Sequence, residues 1–269
     1  MFNHNPSTDE PVYPFKLRRL YWPFLALAEV CRDVVGTVAG SFEIDAKRYT
    51  IPRFAFHGPA TDLPPIRLGL FALLHGDELA GALGLQRFLN ALVDDPAPAA
   101  GYELVFYPLC NPTGYEDGAR RNRAGCDLNR EFWRGSVQPE VRIIEEELRT
   151  EKFDGIITLH ADDTVEGLSG YTRDHALKRN LLLPALRASQ TVLPANPRRS
   201  GEVLPAEVGP GKERDPLVIA PPEQEPRPFE VIFETPAFAP MTQQIEAISC
   251  ALRTVLKEYR SLIAQGFNL

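Results

Sequence analysis

Apolar residues follow two rhythms along this chain, and the rhythms alternate. Short runs that are apolar at most positions read as strands: residues 48–57, 66–74, 102–109, 153–160 and 229–233. The runs at 66–74 and 229–233 are apolar enough to be buried on both faces. Between them, apolar residues recur at helical spacing. Residues 79–92 carry Leu79, Leu83, Leu89 and Leu92, and residues 137–149 carry Val141, Ile144 and Leu148. Residues 22–35 and 174–189 also read as helices. Residues 242–263 predict a long closing helix with Ile245, Ile248, Leu252, Val255, Tyr259 and Leu262 on one face. Strands alternating with helices predict one α/β domain over residues 21–269. Its sheet is mixed and mostly parallel, with helices on both faces. Residues 1–20, with Pro6, Pro11 and Pro14, read as an N-terminal arm.

Two stretches break the rhythm. Residues 110–135 form a long irregular segment, and loops of that length inside a domain tend to be functional. Residues 194–228 are rich in proline, glycine and charge, and their place just before Glu234 makes them a candidate lid over a pocket.

The polar residues that interrupt the apolar runs share one placement. His75, Asn111, His160 and Glu234 each stand at or just past the C-terminal end of a predicted strand. In open α/β sheets that edge is where sites form. His75 and Glu78, three residues apart across a strand end and a helix start, can converge on one metal ion. His160 completes a set of two imidazoles and a carboxylate, which suits zinc with one position left open for water. Glu234 is the candidate general base. Arg120, Asn129 and Arg130 offer donors, with guanidinium groups suited to a carboxylate and to the charge of a tetrahedral intermediate.

Composition narrows the picture. The 269 residues are 44% hydrophobic and 24% charged, as in an ordinary soluble globular protein. A net charge of -7 argues against a general nucleic-acid binder, while leaving room for a basic pocket around residues 120–134. No run reaches the roughly 18 apolar residues that span a bilayer. The N-terminus lacks the basic-then-apolar order of a secretory signal. Cys31, Cys110, Cys126 and Cys250 form no CxxC pair. These features together predict a cytoplasmic protein with reduced thiols.

Taken jointly, His75-x-x-Glu78, the segment Arg120-Arg-Asn122-Arg-Ala-Gly125-Cys-Asp127-Leu-Asn129-Arg130-Glu-Phe132, the single His160 and Glu234-Thr-Pro resemble the zinc carboxypeptidases of the M14 class. Their succinylglutamate desuccinylase and aspartoacylase relatives share the likeness. The resemblance implies a carboxypeptidase-like exopeptidase fold and one zinc ion held by His75, Glu78 and His160. It also implies Glu234 as base, Asn129 and Arg130 as binders of a substrate carboxylate, and Arg120 as the oxyanion arginine, with Arg121 the alternative. The implied activity is hydrolysis of an amide beside a free carboxylate in a small peptide. Deacylation of an N-acyl amino acid is the second reading, and a non-catalytic binder on the same fold the third. The tight arginine cluster would suit a small dianionic substrate. The chain departs from the larger carboxypeptidases in having no tyrosine within residues 200–230 to cap a substrate; Tyr171 is the residue available for that place. The pair Asp162-Asp163 is a second departure, read either as support for a metal ligand or as a loop cap.

Overall fold

Four parallel strands form the centre of the molecule, in the order β4 (Tyr102–Tyr107), β3 (Ile66–Ala72), β5 (Gly155–Asp162) and β8 (Phe229–Pro236). The computed structural model describes residues 15–164, 167–194, 202–203 and 218–266. Antiparallel strands extend the sheet on both sides. The hairpin β1 (Val34–Ile44) and β2 (Lys47–His57) adds to β4. On the other side, β6 (Ser169–Thr172) adds to β8 and carries the two-residue β7 (Glu202–Val203). The eight strands lie in the order β1-β2-β4-β3-β5-β8-β6-β7. This is the single α/β domain with a mixed sheet that the alternating pattern predicts.

Helices cover both faces, because β3 and β5 are buried on each side. One face packs under α1 (Phe15–Val30), α2 (Leu79–Asp94) and α7 (Met241–Ala264). A continuous helical stretch joins them there: α5 (His175–Leu177), a π-helical turn at Lys178–Leu182, and α6 (Leu183–Ser189). The other face packs against α4 (Pro139–Glu151) and the motif segment, through Val141, Ile144, Leu148, Leu128 and Phe132. A short α3 (Pro112–Asp117) opens the long irregular segment. Among the described residues, no helix is long and apolar enough to cross a membrane. All four cysteines are free.

The N-terminal region differs from expectation in two ways. The first helix begins at Phe15, within the stretch read as an arm, because Leu17, Leu20, Tyr21 and Phe24 bury on the core. It also ends at Val30 rather than at Val35. Residues from Val34 onward form the edge strand β1, whose valines and Thr37 favour a pleated backbone. That strand turns into β2 through Asp45 and Ala46, both with positive φ (52° and 58°), as a tight hairpin turn requires.

Candidate active site

The C-terminal ends of β3, β4, β5 and β8 meet at one edge of the sheet, and the polar residues that leave them converge there. The chain exits β3 through Leu73, a buried leucine at φ 53°, which L-residues other than glycine, Asn or Asp rarely adopt. It then packs Gly76 so tightly against the α3 region that a Cβ there would lie 2.1 Å from the Gly114 carbonyl carbon. Only glycine fits at that point. The turn delivers His75 inward and places Glu78 at the N-cap of α2, where the helix dipole favours an anion.

His75, Glu78 and His160 are all buried and form one cluster. His75 Nδ1 lies 2.7 Å from Glu78 Oε1, and His160 Nδ1 lies 2.7 Å from Glu78 Oε2. The three ligand-type atoms sit within 4.8 Å of one another. Tetrahedral zinc with bonds near 2.1 Å separates its ligands by roughly 3.4 Å, so this donor set fits one ion with modest adjustment. Electrostatics agree. Burial works to raise the Glu78 carboxyl, but the charges and hydrogen bonds of His160 and His75 outweigh it and hold the group far below its ordinary range. Burial lowers His160, whereas His75 is raised, because its bonds to Asp127 and Glu78 outweigh its burial.

Asp127 is the functional neighbour that sequence reasoning passed over. Its Oδ1 lies 3.2 Å from His75 Nε2, on the ring edge away from Glu78, and also accepts from the Asn129 backbone N–H at 3.1 Å. The His75 hydrogen bond is the main cause that brings its carboxyl down to about 2. A carboxylate behind a ligand imidazole fixes ring orientation. The signal was present: Asp127 lies inside the motif, between Gly125 and Asn129.

The motif loop is braced from behind by a buried carboxyl. Glu140, fully buried, accepts from Thr113 Oγ1 (3.1 Å) and from Asn122 Nδ2 (3.3 Å). Asn122 Oδ1 in turn accepts from the Cys126 N–H at 2.9 Å, and Thr113 Oγ1 accepts from the Arg123 N–H at 3.1 Å. Asn111 Nδ2 donates to the Leu74 carbonyl at 3.1 Å, tying the same network to the turn before His75. Burial raises the Glu140 carboxyl and outweighs the opposing bonds from its own backbone, Asn122 and Thr113.

A cavity of about 310 Å³ opens above the cluster. His75, Glu78, His160, Arg120, Asn129, Arg130 and Glu234 all line it, as do Asp162 and Asp163. Arg120 Nη1 donates to Glu78 Oε1 at 3.0 Å, so its guanidinium stands directly over the cluster. Glu234 reaches the cavity from β8, where it is the register partner of His160. Two expected residues are not among those lining the cavity. Arg121 is exposed and donates to the Gly125 carbonyl at 3.0 Å. Tyr171 is buried in β6 beside Ile232 of β8. Of the candidate lid at residues 194–228, most lies outside the described residues. Its end is fastened at Val218–Ala220, where Trp133 Nε1 donates to the Ile219 carbonyl at 3.0 Å.

Comparison with known proteins agrees with this geometry. Residues 65–164 match the succinylglutamate desuccinylase/aspartoacylase catalytic domain family. No curated protein matches the chain in sequence. A candidate metallopeptidase from Shewanella amazonensis is similar in structure, with a TM-score of 0.69 at 24% identity over 90% of this chain and 92% of that one. One from Shewanella denitrificans gives 0.69 at 21% identity over 89% of each chain. A metallo-carboxypeptidase from Pseudomonas aeruginosa, in complex with (2-guanidinoethylmercapto)succinic acid, gives 0.67 at 16% identity over 95% of this chain and 70% of that one. Family match and fold together support the M14-like, succinylglutamate desuccinylase/aspartoacylase-like family that the motifs resemble. The chain thus has a hydrolase fold of the carboxypeptidase-like type, with a potential metal site at His75, Glu78 and His160.

Proposed function

We propose that this protein is a zinc-dependent hydrolase that cleaves an amide bond next to a free carboxylate, in the manner of a metallocarboxypeptidase or amidase. One observation carries the reading. Glu78 turns each of its two oxygens to a different imidazole Nδ1, inside a cavity also lined by Glu234, Arg120 and Arg130. His75, Glu78 and His160 would hold the ion, which when bound supplies a Lewis acid that polarises a carbonyl and lowers the pKa of water. Glu234 takes a proton from the attacking water and returns it to the leaving nitrogen as the C–N bond breaks. Arg120 stabilises the negative charge that develops on the carbonyl oxygen. Asn129 and Arg130 hold the substrate carboxylate, the guanidinium by its two-pronged face. The carboxylate-bearing ligand named for the Pseudomonas aeruginosa neighbour is in keeping with that role.

A second reading, deacylation of an N-acyl amino acid, is favoured by the family match over residues 65–164. Both share the same chemistry and differ in the acyl group. A hydrolysis screen of the zinc-loaded protein distinguishes them, with Glu234→Gln as the blank. The panel holds C-terminal dipeptides, γ-glutamyl peptides and N-acyl amino acids. Cleavage of peptides supports the first reading, cleavage of N-acyl amino acids alone supports the second, and no Glu234-dependent cleavage of any member rejects both.

A further inference from the structure

Arg130 and Asp163 line the same cavity with opposite charge, and neither forms an ion pair among the described residues. Arg130 donates to the Asn129 carbonyl at 3.2 Å, lies close enough to Asp127 to help lower its carboxyl, and lines the cavity. Asp163 has no hydrogen bond or ion pair among the described residues, in contrast to its neighbour. Asp162 is committed to the turn, accepting at Oδ1 from the Thr164 N–H (2.7 Å) and hydroxyl (2.6 Å). Its backbone carbonyl accepts from the Ala237 N–H at 2.9 Å, which ties this strand end to β8 just beyond Glu234. Asp163 is therefore presented from a fixed strand end, while Asp162 builds the turn that presents it.

A third group points to the same conclusion. Asn129 is 4% exposed and lines the cavity, yet its Oδ1 has no hydrogen-bond partner among the described residues. A buried acceptor without a donor is costly, and a ligand N–H would satisfy it. The cavity, at about 310 Å³, is at the low end for small-molecule sites, and all three residues line it. The arginines alone would suit a dianion. With Asp163 and Glu234 on the wall, a second carboxylate would meet like charge, which costs binding.

We propose that the substrate is zwitterionic: an amino-acid-sized amide bearing an ammonium or guanidinium group as well as the carboxylate, with Asp163 the residue that reads the cation. This rests on the hydrolase reading for the carboxylate and the scissile amide, and adds the charge of the rest of the molecule.

The test uses pairs that differ only in an ammonium group. Nα-acetyl-lysine is set against Nα-acetyl-norleucine, and Nα-acetyl-glycyl-lysine against Nα-acetyl-glycyl-norleucine, with the zinc-loaded full chain. The expected kcat/KM preference for the lysine member is about tenfold or more, and Asp163→Asn brings the ratio close to one. Asp163→Lys should reverse it in favour of the norleucine member. In parallel, calorimetry measures binding of 6-aminohexanoate and hexanoate to the zinc-loaded wild type and to Asp163→Asn. Tighter binding of 6-aminohexanoate that is lost in Asp163→Asn supports the proposal. Equal handling of the charged and uncharged members by the wild type, or a preference for the charged member that survives Asp163→Asn, overturns it. If neither pair is hydrolysed, the hydrolase reading fails for these substrates, and the calorimetry alone decides the charge preference.

Discussion

His160 and Glu234 are register partners on the adjacent parallel strands β5 and β8, so a metal-ligand candidate and a base candidate stand side by side on one sheet edge. The pairing fixes their spacing through backbone hydrogen bonds rather than through a loop. Replacing Glu234 with glutamine should therefore leave the metal in place and remove the proton acceptor. The expected outcome is a loss of roughly two or more orders of magnitude in kcat with unchanged zinc content. Rate assays and elemental analysis on the same preparation check both halves, and retained turnover would reject the role.

Asp127 holds His75 from the far side of its ring, at 3.2 Å. Asp127→Asn should weaken zinc affinity by roughly 10- to 100-fold, the usual worth of a partner behind a ligand. Competition with a chromogenic chelator measures it. An unchanged affinity would mean that the ring is oriented by packing and by Glu78 alone.

Arg120, Arg121 and Arg130 lie close in sequence but separate in space. Arg130→Ala should raise KM for carboxylate-bearing substrates with little change in zinc content. Arg120→Ala should lower kcat by roughly 10²–10³-fold, as loss of an oxyanion donor does. Arg121→Ala, whose guanidinium turns to the Gly125 carbonyl, should change neither. Steady-state kinetics of the three variants test the assignment. A kcat loss in Arg121→Ala equal to that in Arg120→Ala would undo it.

Glu116 knits β2 to the motif segment. It accepts from Tyr49 Oη (2.6 Å), Arg123 Nη2 (2.8 Å) and Lys47 Nζ (3.2 Å). Burial opposes ionisation, but the bonds from Tyr49, Arg123 and Lys47 outweigh it and bring the carboxyl down to about 2. A carboxyl lowered on folding stabilises the fold above its unfolded pKa, and that contribution is lost as pH falls through the folded value. Stability should thus decline between pH about 4.5 and about 2, and Glu116→Gln should flatten the decline. Urea melts of both proteins across that range measure it, and parallel curves would show that Glu116 does not contribute.

Much of this protein is legible in its sequence. Largely apolar runs at residues 66–74 and 229–233 read as buried strands, and helical periodicity at residues 79–92 and 242–263 identifies helices that cover them. His75, Glu78, His160 and Glu234 each follow such a run, so their arrival at one sheet edge is a consequence of local pattern. What the pattern could not supply was contact between residues distant in sequence. The edge strand Val34–Ile44 exists because β2 pairs with it, and the helix read over residues 22–35 took in its first two residues. Choosing among three neighbouring arginines depended on the turn at Gly125, which directs Arg121 outward and leaves Arg120 over Glu78. Tyr171 followed His160 closely enough to suggest a cap, yet β6 buries it beside Ile232. The roles of Asp127 and Glu140 appear only when strands and loops are assembled, because each acts through a partner that the chain reaches by folding. Sequence determined which side chains are candidates for the chemistry; tertiary packing decided which of them share one cavity, because long-range pairing sets side-chain direction and linear spacing does not.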